Sequence, residues 1–258
     1  MMRKERPGPP PGAKRTIRLD VQYEGTSYVG WQRQKNGLSI QEILENALSK
    51  VADEKVTLFC SGRTDAGVHA RQQVASFSLK ESKTPQEAFL RGANTLLPKD
   101  VRVSRAEEVD LLSHAPEAEE KTYRYFLQVG SEPLVFLERY SWHIYKELDV
   151  EKMRQATEYI IGEHDFAAFR TAGTETQTTV RTIHQATWNT SLLHLLHFDI
   201  TGSGFLKQMV RNIVGTLVEV GQGKRDPEKM PDILTSKKRE NAGAAAPAHG
   251  LFLWNVVY

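Results

Sequence analysis

Ser61-Gly62-Arg63-Thr64-Asp65-Ala66-Gly67-Val68-His69-Ala70 is the stretch on which the fold turns. It separates two strand-like segments, 56–60 and 73–79, and so reads as a loop between strands. Gly62 and Gly67 bracket a short polar run, and glycine enters φ > 0 without steric cost, as a sharp turn requires. Between them Arg63, Thr64 and Asp65 can contact an anionic, hydrogen-bonding ligand. Two readings fit these residues alone. Asp65 can cap its own backbone with Arg63 solvated, or a rigid scaffold can hold the carboxylate and guanidinium at the floor of a cleft.

Outward from that loop the pattern is regular. Ile17, Leu19, Val21 and Tyr23 alternate with Arg18, Asp20 and Gln22, the two-residue period of a half-buried strand. A loop over 24–38 carries Gly25, Gly30 and Gly37. Ser39 followed by Glu42 predicts a capping box, and Ile43, Leu44, Ala47, Leu48 and Val51 make one apolar helical face. Thr84 as cap, Pro85 at the first position and Glu87 predict a second helix, followed by a strand over 101–106. The order β-α-β-β-α-β is the ferredoxin-like arrangement, an antiparallel sheet with helices on one face.

A longer copy follows. Tyr123, Tyr125, Leu127 and Val129 alternate as a strand, and a helix is expected over 149–161 with Gly162 just beyond its end. Strands are expected at 181–190 and 192–200, a helix over 205–220, a short helix over 226–235 opened by Pro227, and a closing strand over 251–257. The expected class is therefore α+β, two tandem ferredoxin-like subdomains with mainly antiparallel sheets and a cleft where they meet. The expected divisions are a leader at 1–15, an N-terminal subdomain at 16–113 and a C-terminal one at 114–258.

Composition narrows the class. A chain of 258 residues with 40% hydrophobic and 26% charged content is that of a globular protein. No run of about 18 apolar residues or export-type apolar region is present, so no membrane partner is expected. Cys60, the one cysteine, cannot form an internal disulfide, and a cytoplasmic location is the expectation. Net charge is +2, but Arg3, Lys4, Arg6, Lys14 and Arg15 stand against Glu5 in the first fifteen residues. Any basic surface on the folded part must then be local. The leader's Pro-Gly-Pro-Pro-Pro-Gly at 7–12 predicts disorder.

The chemistry-bearing residues are few. The 8 histidines include no His-x-x-x-His with an adjacent acid, and Gly202-Ser203-Gly204 lacks the lysine and third glycine of nucleotide-binding loops. Neither metal nor cofactor is expected. Lys207 and Arg211 stand four apart in the first half of a largely apolar predicted helix, on a face with Gly215. Arg211 either meets solvent or is partly buried and paired with a carboxylate. Tyr123 is either a core aromatic or a platform for a base.

These residues, with Tyr23-Glu24-Gly25-Thr26, Gly30-Trp31-Gln32, Lys121-Thr122-Tyr123-Arg124-Tyr125, Gly162-Glu163-His164-Asp165-Phe166, Phe169-Arg170, Phe205-Leu206, Met209-Val210-Arg211-Asn212 and His249-Gly250-Leu251, resemble the tRNA pseudouridine synthase A family. The matching blocks run in the family's order from Ile17 to Tyr258, and the block at 62–70 is the most specific. The 172–179 loop departs from the family. The resemblance implies the pseudouridine synthase type of fold. It also implies isomerisation of uridine to pseudouridine at positions 38, 39 and 40 of the tRNA anticodon arm, without cofactor, by a homodimer. Asp65 then matches the catalytic carboxylate, Arg211 the arginine that pairs with it, and Tyr123 the tyrosine that stacks on the base. Arg63 matches the residue that fills the gap left by an everted nucleotide. Thr64, Gly67, His69, Arg170 and Phe205 fall at further substrate-contacting positions.

Two other classes compete. A non-catalytic RNA-binding protein on tandem ferredoxin-like folds would be expected to show an aromatic run such as Lys-Gly-Phe-Gly-Phe-Val, which is absent. A retaining glycoside hydrolase would need a second carboxylic acid about 5 Å from Asp65, and the loop offers none nearby in sequence.

Overall fold

The structure, a computed structural model, describes residues 9–114, 118–171, 176–190 and 195–258, with the side chains of 112 and 114 excepted. Residues 1–8 of the expected leader and 172–175 of the divergent loop lie outside the described residues. The chain divides into two compact units, Met1–Glu119 with Leu253–Tyr258, and Glu120–Phe252.

The first unit comprises β1 (Arg15–Tyr23), α1 (Ile40–Ala52), β2 (Phe59–Cys60), β3 (His69–Leu79), α2 (Gln86–Leu96) and β4 (Val101–Val109). β1 lies antiparallel between β3 and β4, and β2 pairs with β3. The alternation read in β1 has its reason here. Ile17 faces Phe77 and Leu19 faces Ala75 across the sheet, and all four are fully buried. The Ser39 hydroxyl accepts from Glu42 N at 3.3 Å and caps α1, while Asp53 at φ 54° ends it. Burial of Leu44, Ala47 and Leu48 follows the expected apolar face. Helix α2 starts one residue later than its caps suggest. Pro85 stands at the cap, and the Thr84 hydroxyl instead donates to Val51 O at 3.3 Å.

The second unit comprises β5 (Glu120–Val129), β6 (Trp142–Ile144), α3 (Val150–Glu158), β7 (Gly162–Asp165), β8 (Val180–Thr190), β9 (Leu195–Gly202), α4 (Met209–Gly221) and α5 (Met230–Ser236). Antiparallel pairing runs β5-β9-β8-β7, and the short β6 lies parallel to β5. The run β5-β9-β8 repeats the run β1-β3-β2 of the first unit. The protein is thus α+β with a mostly antiparallel sheet, and its strand order repeats. A final strand, β10 (Leu251–Val257), begins in the second unit, and its residues from Leu253 onward belong to the first, beside β3.

Two helices end differently from their sequence pattern. Helix α3 stops at Glu158 rather than 161, and Gly162, at φ +101°, opens β7 opposite Ile183 instead of following a helix. Helix α4 starts at Met209 rather than 205, because Gln208 adopts φ 58° and breaks the helical run. Lys207 therefore precedes the helix and shares no helical face with Arg211.

Candidate active site

The loop that carries Asp65 is moored by residues far from it in sequence. At its start, Ser61 N donates to Val74 O at 2.9 Å. Gln73, fully buried, accepts from the Ser61 hydroxyl at 3.0 Å and donates to Gly62 O at 2.8 Å. The Tyr23 hydroxyl lies 2.7 Å from the Thr64 hydroxyl. Trp31 N donates to Thr64 O at 3.1 Å, and Val68 N closes a turn onto Asp65 O at 3.2 Å.

Two glycines allow this approach. A Cβ on Gly25 would stand 2.0 Å from Val68 O, and one on Gly30, at φ +102°, would stand 2.6 Å from Thr64 O. The 24–31 segment and the Asp65 loop thus meet backbone to backbone, which no side chain would permit. His69, buried, accepts from Gly25 N at Nδ1 over 2.9 Å, which leaves its ring proton on Nε2. Glu24 Oε1, 3.6 Å from that same Nδ1, therefore meets an acceptor rather than a cation. Within the loop Asp65 is half-buried, Thr64 is buried and Arg63 is exposed. Burial pushes the Tyr23 phenol well above its ordinary pKa, so it stays protonated at neutral pH.

The second unit holds the other expected residues. Tyr123, on β5, is buried, and its ring meets Phe205 edge-on at 5.0 Å. Arg211, half-buried on the first turns of α4, donates from Nε to Ala246 O at 2.7 Å, and Ala246 N returns a bond to Arg211 O at 3.0 Å. A Cβ on Gly215 would lie 1.7 Å from Ala244 O, so the glycine lets the 244–246 backbone lie directly on the helix. Arg170 follows the short 3-10 turn Ala167–Phe169, which Asn212 holds through Nδ2 to Phe169 O at 2.7 Å. Tyr125, two residues beyond Tyr123, is fully buried; its hydroxyl donates to Pro247 O at 2.8 Å, and burial raises its pKa. Among the described residues no three His, Cys, Asp or Glu side chains cluster as metal ligands, and no helix is long and apolar enough to cross a membrane.

The structure thus groups Arg63, Thr64, Asp65, Gly67 and His69 in one moored loop of the first unit. It groups Tyr123 with Phe205, and Arg170 with the Arg211 turn, in the second. The supports Tyr23, Trp31, Gln73 and Asn212 were not singled out as site residues from sequence.

Similarity to known proteins extends over most of the chain. The family model for tRNA pseudouridine synthase matches residues 20–116 and 156–258. A protein of Acetivibrio thermocellus named tRNA pseudouridine synthase A is 42% identical over 245 residues, covering 95% of this chain and 100% of that protein. One of the same name from Geobacter sulfurreducens is 47% identical over 246 residues, covering 94% of this chain and 99% of its own length. Among solved structures, an H/ACA RNP bound to a substrate RNA containing 2'-deoxyuridine matches at a TM-score of 0.36. Its identity is 11% over 78% of this chain and 44% of that chain, too slight a likeness to argue from.

Proposed function

The chain belongs to the tRNA pseudouridine synthase family, a family of isomerases, and on that premise we propose that it converts uridine to pseudouridine in tRNA, at positions 38, 39 and 40 of the anticodon arm. The observation that carries the reading is the mooring of the Asp65 loop. Its backbone is bound at Ser61, Gly62 and Thr64 by partners outside it, so a half-buried carboxylate is held in one place. Preorganisation of this kind is what a reaction at a single sugar carbon requires.

The bond between C1′ and N1 breaks, the uracil turns, and a bond from C1′ to C5 forms as the C5 proton leaves. Atoms and electrons balance within one substrate, so the reaction calls for no redox partner or group carrier. Asp65 acts at C1′, as a nucleophile or by stabilising an oxocarbenium-like centre. Arg211 pairs with Asp65 and keeps it ionised and aimed. Tyr123, steadied by the edge of Phe205, stacks on the everted base and assists the loss of the C5 proton. Arg63, exposed on the loop, fills the space the nucleotide vacates. Thr64, Gly67 and His69 shape the loop around the substrate, and Arg170 contacts the RNA.

The test is release of tritium from tRNA labelled at uridine C5. An isomerase releases it, whereas a protein that only binds RNA releases none and a hydrolase frees uracil. No release by the intact chain removes the proposal.

The same reading makes the protein a cytoplasmic homodimer. Val135 and Phe136, 75% and 92% exposed, support this by presenting an apolar pair on a fixed turn. Leu134 N donates to Gln128 at 2.7 Å and Gln128 to the Ser141 hydroxyl at 2.7 Å, so the turn is held at its base. Sedimentation at micromolar concentration should give twice the chain mass; a monomer mass removes the dimer.

A further inference from the structure

Arg181, the second residue of β8, stands beside the Gly202-Ser203-Gly204 step, a glycine pair the mechanism above leaves without a role. Gly202 ends β9 with its backbone directly against β8: a Cβ there would stand 2.6 Å from Thr182 O, and Ser203 N donates to that oxygen at 3.1 Å. Gly204 then passes along the Arg181 side chain, with its Cβ direction 3.7 Å from Arg181 Cδ and Nε. The next residue is Phe205, whose ring braces Tyr123 at 5.0 Å.

The guanidinium itself is half-buried and aimed. Nη1 donates to Thr178 O at 3.0 Å and to Val180 O at 2.6 Å, which fixes the side chain from one end of the fork. No carboxylate among the described residues pairs with it, and burial alone pulls its pKa down. A partly desolvated cation with no carboxylate partner among the described residues is costly, since ion pairing normally compensates such burial. The donors on Nε and Nη2 form the edge a tetrahedral oxyanion accepts in two bonds.

We infer that Arg181, with the side-chain-free backbone of Gly204 beside it, is a phosphodiester-binding subsite that grips the substrate RNA strand next to the base stacked on Tyr123. This rests on the isomerase reading and adds to it a backbone contact. Phosphate contacts set register without reading sequence, and a grip one residue from Phe205 would fix where the everted nucleotide enters.

The test is binding of an anticodon stem-loop RNA to the full chain across a salt series. Arg181→Gln should weaken binding about tenfold and lower the salt slope by about one phosphate contact. Arg181→Lys, which keeps the charge but loses the fork, should recover part of the loss. Gly204→Val leaves the charge and covers the Nε edge, so it should resemble Arg181→Gln. Uncharged methylphosphonates placed singly around the target uridine should reveal one position that weakens wild-type binding and no longer matters in Arg181→Gln, a coupling that a structural role for Arg181 would not produce. Unchanged affinity and slope in Arg181→Gln, or equal methylphosphonate effects in both proteins, would overturn the inference. Tritium release by the wild-type chain is read separately. If release is seen and Arg181 is indifferent, only the subsite falls; if none is seen, the isomerase reading falls first.

Discussion

Tyr23 supports Asp65 without standing beside it. Its hydroxyl, 2.7 Å from the Thr64 hydroxyl and hydrogen-bonded also to Gln73, is buried with both, and these bonds let it leave water. Tyr23→Phe should cost about 1–2 kcal/mol, the penalty of a buried hydroxyl left unpaired. Turnover should fall with it, because Thr64 immediately precedes the carboxylate. Thermal melting and tritium release check the two halves, and an unchanged melting temperature would mean Thr64 finds another partner. Asp65→Asn keeps the loop's shape while removing its charge. RNA binding should persist while turnover drops at least about 10³-fold, on the order of 4 kcal/mol of transition-state stabilisation; near-normal turnover would take Asp65 out of the chemistry. At this scale the sequence was legible in part. The glycines announced a loop between strands, which the structure has, but nothing local to Thr64 names Tyr23, forty-one residues away, as its partner.

Helix α4 shows what a single glycine permits. Alanine is the better helix former by about 1 kcal/mol, yet at 215 its Cβ would lie 1.7 Å from the Ala244 carbonyl. The backbone must move, and overpacking of this kind costs about 1–3 kcal/mol or more. Gly215→Ala should therefore destabilise the protein and loosen the paired bonds between Arg211 and Ala246; a rise in melting temperature would refute the close approach. Asp165, at the end of β7, ties a second set of elements. Burial opposes its ionisation, but hydrogen bonds from Thr179, Lys237 and Ala167 N outweigh it and hold the carboxyl below the usual 3.8. A depressed carboxylate adds stability above its unfolded pKa and loses it as pH falls through the folded value. Asp165→Asn should thus cost about 1 kcal/mol at pH 7 and progressively less as pH falls below the ordinary carboxylate range, as read by urea unfolding across that range. A cost that does not change with pH would deny the charge its role. Periodicity foretold most of these elements, since alternation in β1 and the apolar face of α1 each follow from one buried side. It failed at Gln208 and Gly162, where backbone conformation alone decides whether a helix runs on.

On the scale of the molecule, the repeat was readable from element order, and the return of the last strand was not. Residues from Leu253 to Tyr258 complete the first unit. Leu253 is fully buried, Val257 O accepts from Glu119 N at 2.8 Å, Arg71 stacks on Trp254 at 5.0 Å and Arg18 on Tyr258 at 5.1 Å. No periodic pattern says which sheet a strand joins. Deleting residues 253–258 should weaken hydrogen-exchange protection in β3 more than in β8, although the deletion lies far closer to β8 in sequence. Equal loss in both would mean the tail belongs to neither in particular.

That tail also sets an order of events at the ribosome. Vectorial synthesis usually lets an amino-terminal domain settle before the rest emerges. Here the earlier-made unit must wait for residues 253–258 to leave the exit tunnel, so the nascent polypeptide carries an unfinished sheet edge until they emerge.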